Sequence, residues 1–411
     1  MVWLMGGKLE RYFVPAIIGL APLVLFLLNW DAERMSRPML LLREFTVPVL
    51  AVEIATVAIA LREGVIGAWR ELRPPGLALV ALGGLVAIAV TTAVVAPAPG
   101  PAMLRTVFWI VHLLFGFSIA FLCGRLFRES DLLAAYLLGF AAFLLAFAIF
   151  AAGAIDRPIH WTWELPSVTH IRHLGIYATP MVGICIGIMA TRQRRETWAA
   201  AFLIAGCGFA LALWTGSRGP VAAIGAALLA GLAFSPAMRR PRAWGGAALS
   251  LAAAAAAVAW LPVPASNMGA LRTVAATTGS TDVTTGRLEM WSRVVGAIER
   301  RPAFGYGEGQ MTTVAHFGAM AQPHNIVLQL LLAWGVAGLA CALVLAFYFL
   351  RVALPALRKD EAAVLPPLLA MSALVVLSML DAALYHVLPL SIFAACAGMI
   401  AAEWRAQTAR Q

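Results

Sequence analysis

Lysine is almost missing from this chain: of its 30 basic residues only Lys8 and Lys359 are lysines. Neither is followed by Ser or Thr, so the Gly-Lys-Ser/Thr of a phosphate-binding P-loop is excluded. Charge of either sign is scarce at 12% of 411 residues, against about 25% in soluble domains. With 62% hydrophobic residues and a mean hydropathy of +0.86, the chain reads as an integral membrane protein. Cysteine is sparse too. Cys123, Cys185, Cys207, Cys341 and Cys396 all lie in apolar runs with no CxxC pair, which argues against both a disulfide framework and a zinc site. DxD, HExxH and EF-hand patterns are lacking, so no metal, cofactor or nucleic-acid partner is expected.

What is there is a succession of apolar runs. A bilayer core of ~30 Å needs about 20 apolar residues per helix. The chain divides into about twelve such runs, from 12–30 to 388–402, with a short pair at 198–214 and 220–234 that could join as a tilted or re-entrant hairpin. The expected fold is therefore an all-α polytopic membrane protein, GT-C-like in plan. It has nine spans in 1–262, one long outer loop at 263–324 and three spans in 325–411. The first run is too long for a removed signal peptide and reads as a retained helix.

Orientation follows from arginine. With both termini cytoplasmic, the inner segments hold 18 Lys/Arg and the outer ones 12, five of them in the long loop. Long loops translocate largely regardless of charge, so the comparison is 18 against the seven in short outer loops. Within the long loop, Leu288, Trp291, Val294, Val295 and Ile298 recur at helical spacing before Arg300-Arg301-Pro302. This predicts an amphipathic helix lying on the membrane surface.

Three constellations could carry chemistry. Gly216-Ser217-Arg218-Gly219-Pro220 links two apolar runs at the outer face. It reads either as a glycine turn with an anchoring arginine, or as an oxyanion site in which backbone N–H groups and a bidentate Arg218 hold phosphate. Pro323-His324-Asn325 opens the tenth run. His324 is either an interfacial cap or a general base, and projecting a straight helix from it puts His324 and Gly335 on one face, with Gly335 and Gly338 admitting a neighbouring helix. The third set is Arg287, Glu289, Trp291, Pro302, Gly305, Tyr306 and Gly307 in the loop. Arg293, Arg300 and Arg301 read as solvated or headgroup-facing charges. Elsewhere, Glu53 sits inside the second run, Asp381 and His386 flank the eleventh, and 155–173 carries Trp161, Trp163, His170, Arg172 and His173, an interface belt in which Arg172 could be a further phosphate contact. His112 reads as a core histidine.

Taken together, these motifs resemble the O-antigen ligase (WaaL) family, in a superfamily with O-antigen polymerases and protein O-oligosaccharyltransferases. The family pattern of His, Asn/Ser/Gln, nine residues, Gly, two residues and Gly/Thr/Tyr is matched by His324, Asn325, Gly335 and Gly338. The family's Ser-Arg-Gly turn is similar to Ser217-Arg218-Gly219. Its Arg, Trp, Pro and Gly-x-Gly loop pattern is similar to Arg287, Trp291, Pro302 and Gly305-Tyr306-Gly307. The resemblance implies transfer of a glycan from undecaprenyl pyrophosphate to lipid A-core, without metal or nucleotide, on the periplasmic face of a Gram-negative inner membrane. It casts His324 as the catalytic base and Arg218 and Arg287 on the pyrophosphate, with Arg172 as a third contact. Ser217, Asn325, Glu289, Tyr306 and Asp381 would support them, Glu289 and Asp381 as reserve bases. A groove between helices would take the prenyl tail, and the loop helix would act as a lid. The polymerase and protein-glycosylating activities share the donor and differ in acceptor. A lipid or polysaccharide transporter is the rival of a different class, disfavoured by the lack of broken helices in matched halves; a structural scaffold is the third.

Overall fold

The computed structural model describes residues 6–28, 46–67, 76–156, 160–162, 165–166, 168, 170–265, 268–269, 286–317 and 321–410. Trp163, Arg272 and Asp282 lie outside them. The described chain is helical: α1 Gly6–Leu28, α2 Thr46–Arg62, α3 Gly76–Val94, α4 Pro99–Leu122, α5 Glu129–Ala154, α6 His173–Thr191, α7 Arg195–Trp214, α8 Arg218–Phe234, α9 Pro241–Trp260, α10 Arg287–Arg300, α11 Met311–Val314, α12 Ile326–Lys359, α13 Glu361–Leu380 and α14 Val387–Ala409. Among the described residues nine helices are long and apolar enough to cross a membrane, namely α3 to α7, α9 and α12 to α14. The other three expected runs coincide with α1, α2 and the 17-residue α8. The short pair is two helices, Arg195–Trp214 and Arg218–Phe234, joined by the turn Thr215–Ser217.

The helix α6 is the hub. Every residue from Leu174 to Gly187 is buried, because α6 packs against α7, α8, α9 and α13 at once. Small residues make that closeness possible. A Cβ on Gly187 would stand 2.5 Å from Pro366 Cα of α13, and one on Gly139 of α5 would stand 1.8 Å from the Gly19 carbonyl of α1. Phe140, Phe143 and Tyr177 fill the space between α5 and α6 edge to face, with centroids 5.1 and 5.3 Å from Tyr177.

Connections sort onto two ends of the bundle. At one end Arg11 pairs with Asp131, Arg242 reaches Gln193 and the Arg192 carbonyl, and Glu361 accepts from Ser235. At the other, Trp214 donates to the Pro262 carbonyl, Gln310 pairs with the Ala98 backbone, the rings of His173 and His386 lie 4.4 Å apart, and Asn325 donates to the Met379 carbonyl. Those pairings are the ones a chain crossing at each helix produces.

Two expectations change in the long loop. The helix there is Arg287–Arg300, but it packs on protein through Met290, Val294 and Ala297, against Tyr306, Met311, Val314 and Leu332. Of the expected stripe, Leu288 and Val295 stay exposed, at 62% and 41%. The stripe is wide enough to serve two faces, and the protein takes the one centred a residue earlier. The second change is in α12, which is not a straight continuation of His324. Asn325 caps it, accepting from the Val327 and Leu328 N–H groups, and the helix breaks at Gly335, with φ 63° and ψ −166°. No projection along three straight turns from His324 survives that break.

The break is filled by backbone rather than by another helix. Tyr306 and Gly307 N–H groups donate to the carbonyls of Leu332 and Ala333, while Val336 and Ala337 N–H groups donate to those of Pro302 and Ala303. The loop so restores the hydrogen bonds that a broken membrane helix would otherwise leave open. A Cβ on Gly335 would lie 2.4 Å from the Ala303 carbonyl carbon, which is why only glycine fits. Gly338, expected to admit a second helix, instead gives room to Trp334, whose Cβ would be 2.2 Å from an added methyl.

Candidate functional site

His324 stands just ahead of α12 with φ 52°, a left-handed conformation unusual for a residue with a side chain. Gln322 holds it there by accepting the His324 backbone N–H at 2.7 Å. The imidazole Nδ1 lies 2.6 Å from Asp381 Oδ1, a carboxylate that caps the far end of α13. Burial opposes ionisation of Asp381. The bond to His324, that ring's proximity, the Ala382 N–H and nearby Arg287 outweigh it, so the carboxyl is held well below the usual carboxylate range. An ionised carboxylate only accepts, so Nδ1 carries the hydrogen and Nε2 is the nitrogen left to take a proton.

Helix α10 fastens this pair from above. The Arg287 guanidinium donates to the Leu380 carbonyl, next to Asp381, and Trp291 Nε1 donates to the Pro323 carbonyl, next to His324, at 2.8 Å. Gly286, in the left-handed region at φ 80°, turns the chain into the helix so that Arg287 is its first residue.

The Ser-Arg-Gly turn is built by two helix ends. α7 closes as a Schellman turn, with Gly216 at φ 70° and N–H bonds from Gly216 to the Leu213 carbonyl and from Ser217 to the Ala212 carbonyl. Ser217 then caps α8 without a side-chain bond to it, its Oγ lying 2.9 Å from Thr215 Oγ1 instead. The first-turn N–H groups of α8 are left without that side-chain cap, and Arg218 is the first helical residue. Its guanidinium makes no hydrogen bond or ion pair among the described residues. Gly175, in the first turn of α6, abuts this turn: its Cβ would lie 3.1 Å from Ser217 Cβ and 3.0 Å from Pro220 Cγ. Arg172 precedes that same turn of α6. Gly219 faces the last turn of α13, where its Cβ would be 2.9 Å from Leu377 Cδ1. Two helix N-termini, one preceded by Arg172 and the other begun by Arg218, therefore stand side by side, against the helix that ends at Asp381.

Of the expected site residues, His324 and Asp381 are joined directly and Arg287 flanks them. Arg218, Ser217 and Arg172 lie at the same end. Asn325 acts as the α12 cap and as a tie to Met379. Glu289 is not brought to the pair, since it is exposed and bridges to Arg293 at 2.8 Å. Tyr306 is buried, with its hydroxyl on the Ala297 carbonyl and its ring under Arg301. Glu53 and His112 form a buried pair at 2.8 Å between α2 and α4.

Other polar groups were not anticipated. Glu308 is wholly buried and accepts from Gln329 Nε2 at 2.6 Å, Trp109 Nε1 at 3.2 Å and the Gly309 N–H at 3.3 Å. Burial raises its pKa, against the opposing pull of Arg105 and those three donors. Arg105 donates to the Tyr385 carbonyl and stacks on that ring at 3.8 Å. Gln329 was legible in principle as the one carboxamide in the run Ile326–Trp334.

No curated protein matches the chain. Residues 200–343 match the Wzy_C family model, described as O-antigen ligase, a segment that contains the Ser217 turn, α10, the inserted loop and His324 through Gly338. By residues 200–343 the chain carries an O-antigen ligase family domain.

Proposed function

We propose that the protein is an O-antigen ligase, moving a glycan from undecaprenyl pyrophosphate to lipid A-core at the periplasmic face of a Gram-negative inner membrane. The observation that carries the reading is the 2.6 Å His324–Asp381 bond beside Arg287, at the bundle end that also holds Arg218. His324 Nε2 takes the proton of the acceptor hydroxyl, while Asp381 holds Nδ1–H and stabilises the imidazolium. The acceptor oxygen bonds to the anomeric carbon as the bond from that carbon to the pyrophosphate oxygen breaks. A single displacement of this kind inverts the anomeric centre.

The leaving pyrophosphate carries the bonding pair away as negative charge. Arg218, Arg287 and Arg172, with the N–H groups that open α8, are the cations and dipoles suited to receive it. Arg287 spends one donor on Leu380 and retains others for an oxyanion. The guanidinium set supports a reaction that needs no divalent ion. α10 serves as a lid whose closed position fixes the base. In proteoliposomes with lipid-linked glycan and lipid A-core, the wild type should form the ligated product. Supplying a second lipid-linked glycan or a pilin-like protein in place of lipid A-core distinguishes polymerase or protein-glycosylating activity; no product with any of the three acceptors and no donor consumed defeats the reading.

A further inference from the structure

A narrow pocket opens beside Asp381, lined by Gln322, Asn325, Gln329, Ser378 and Tyr385 among others. Most polar atoms around it are committed. Gln322 Oε1 accepts the His324 N–H, Asn325 Oδ1 accepts two α12 N–H groups, and Ser378 Oγ donates to the Leu374 carbonyl while accepting from the Leu384 N–H. Gln329 differs. It is 5% exposed, its Nε2 is fixed on Glu308, and its Oε1 has no hydrogen-bond partner among the described residues. Ionised, Glu308 can only accept: it takes N–H bonds from Trp109, Gly309 and Gln329, and the carboxamide oxygen is turned away from it. An acceptor atom locked in this way and buried costs free energy until an O–H or N–H group reaches it.

We infer that Gln329 is a substrate-binding residue whose Oε1 accepts a hydroxyl of the acceptor saccharide, with Glu308 as the positioning residue that sets the carboxamide's orientation. The inference rests on the glycosyl-transfer reading and adds the acceptor subsite to it. A saccharide offers neighbouring hydroxyls. One seated on Gln329 beside Asp381 brings the next within the domain of His324, which turns acceptor binding into alignment for attack. Selectivity follows as well, because a site built around a locked carbonyl oxygen rejects an analogue that lacks the hydroxyl.

The test uses the full-length protein in nanodiscs, the delipidated core oligosaccharide as probe, and a set of its monodeoxy analogues. Saturation-transfer NMR reads binding without chemistry, and glycan transfer reads KM and kcat. For the wild type, one monodeoxy analogue should show an acceptor KM raised about fivefold to tenfold, as expected for one lost hydrogen bond. Gln329→Met should raise the KM for the parent saccharide to the same degree with kcat less affected, and should no longer distinguish that analogue from the parent. Glu308→Gln, which frees the carboxamide to turn, should give a smaller rise. Saccharide binding that depends on Gln329 without glycan transfer sustains the subsite and removes the transferase reading. Transfer with an unchanged KM in Gln329→Met, or no wild-type discrimination among the analogues, overturns the subsite and leaves the transferase. A Gln329→Met protein that only melts earlier identifies Oε1 as the seat of a structural water and equally overturns it; should that variant not accumulate, the wild-type analogue series decides alone.

Discussion

Arg287 and Trp291, one turn apart on α10, donate to the carbonyl oxygens of Leu380 and Pro323, the residues immediately before Asp381 and His324. Residues four apart share a helix face, so one rigid element sets both members of a pair separated by 57 positions in the chain. The two bonds end on backbone carbonyls, not on the side chains of the pair, and fix where the two chain segments lie rather than how their side chains rotate. Trp291→Phe keeps the ring and removes the donor. Transfer kcat should fall by about tenfold to a hundredfold, the scale of a misplaced catalytic group, while the melting temperature of the detergent-solubilised protein shifts by only a few degrees.

His324→Ala removes the nitrogen that takes the acceptor proton. Transfer should fall by about a hundredfold to ten-thousandfold, the usual contribution of a positioned base, with unchanged binding of the lipid-linked donor in a flotation assay. Arg218→Ala should instead weaken donor binding and transfer together. Arg218→Lys should restore little, because an ammonium cannot make the planar two-pronged contact to phosphate.

How much of this was readable beforehand depends on what set each feature. The twelve apolar runs were legible because the bilayer imposes length and hydropathy on each span independently of its neighbours. The Ser217-Arg218-Gly219 turn was legible because glycine and proline mark helix ends locally. The partnership of His324 with Asp381 was not, since nothing near either residue specifies the other; Asp381 was legible as a residue at the outer end of the eleventh run that could face the same cavity, and as a reserve base beside Glu289, whose i, i+4 partner Arg293 holds it on the exposed face. The stripe on α10 was correct in period, yet its burial was decided by Tyr306, Met311 and Leu332, which no helical spacing within α10 reveals.

The pH dependence of stability tests the state of Asp381. Its pKa is lower folded than unfolded, so its ionisation stabilises the folded chain above the ordinary carboxylate range near pH 4. That contribution is lost as the pH falls from there through the lowered folded value. Asp381→Asn should therefore melt below the wild type at pH 7, and the gap should narrow as the pH is taken below about 4. A gap that is constant from pH 7 to pH 3 would show that charge has no part in the pairing. Transfer by the wild type should keep Asp381 ionised throughout the neutral range, so no acid limb near pH 4 to 5 should disappear in the Asn variant.

If guanidiniums carry the leaving pyrophosphate, EDTA in the proteoliposome assay should leave initial rates within about twofold of the untreated control. A rate that collapses with chelator and returns with added Mg2+ or Mn2+ would transfer that role to a divalent ion.

The break in α12 makes the sharpest demand on a single residue. At Gly335 an added methyl meets two independent obstacles: a φ of 63° paired with ψ of −166°, which residues with a Cβ avoid, and the Ala303 carbonyl carbon 2.4 Å away. The second cannot be relieved by a side-chain rotation, because the obstructing atoms are backbone. Relief requires the Pro302–Gly307 segment to withdraw, which gives up four hydrogen bonds, from Tyr306 and Gly307 to Leu332 and Ala333 and from Val336 and Ala337 to Pro302 and Ala303. The Tyr306 and Gly307 bonds to Leu332 and Ala333 lie among buried residues, where no water replaces them. Withdrawal also drags on Glu308, one residue beyond, and through it on Gln329. Gly335→Ala should cost about 3 kcal/mol or more and abolish transfer even at temperatures where the protein stays helical by circular dichroism. Gly338→Ala meets the Trp334 Cβ at 2.2 Å, an atom that no side-chain rotation moves, so it too should destabilise; but it carries no positive-φ penalty and breaks none of the four loop bonds, so it should retain more stability and turnover than Gly335→Ala. Equal tolerance at the two glycines would mean that the loop does not need the break in order to dock.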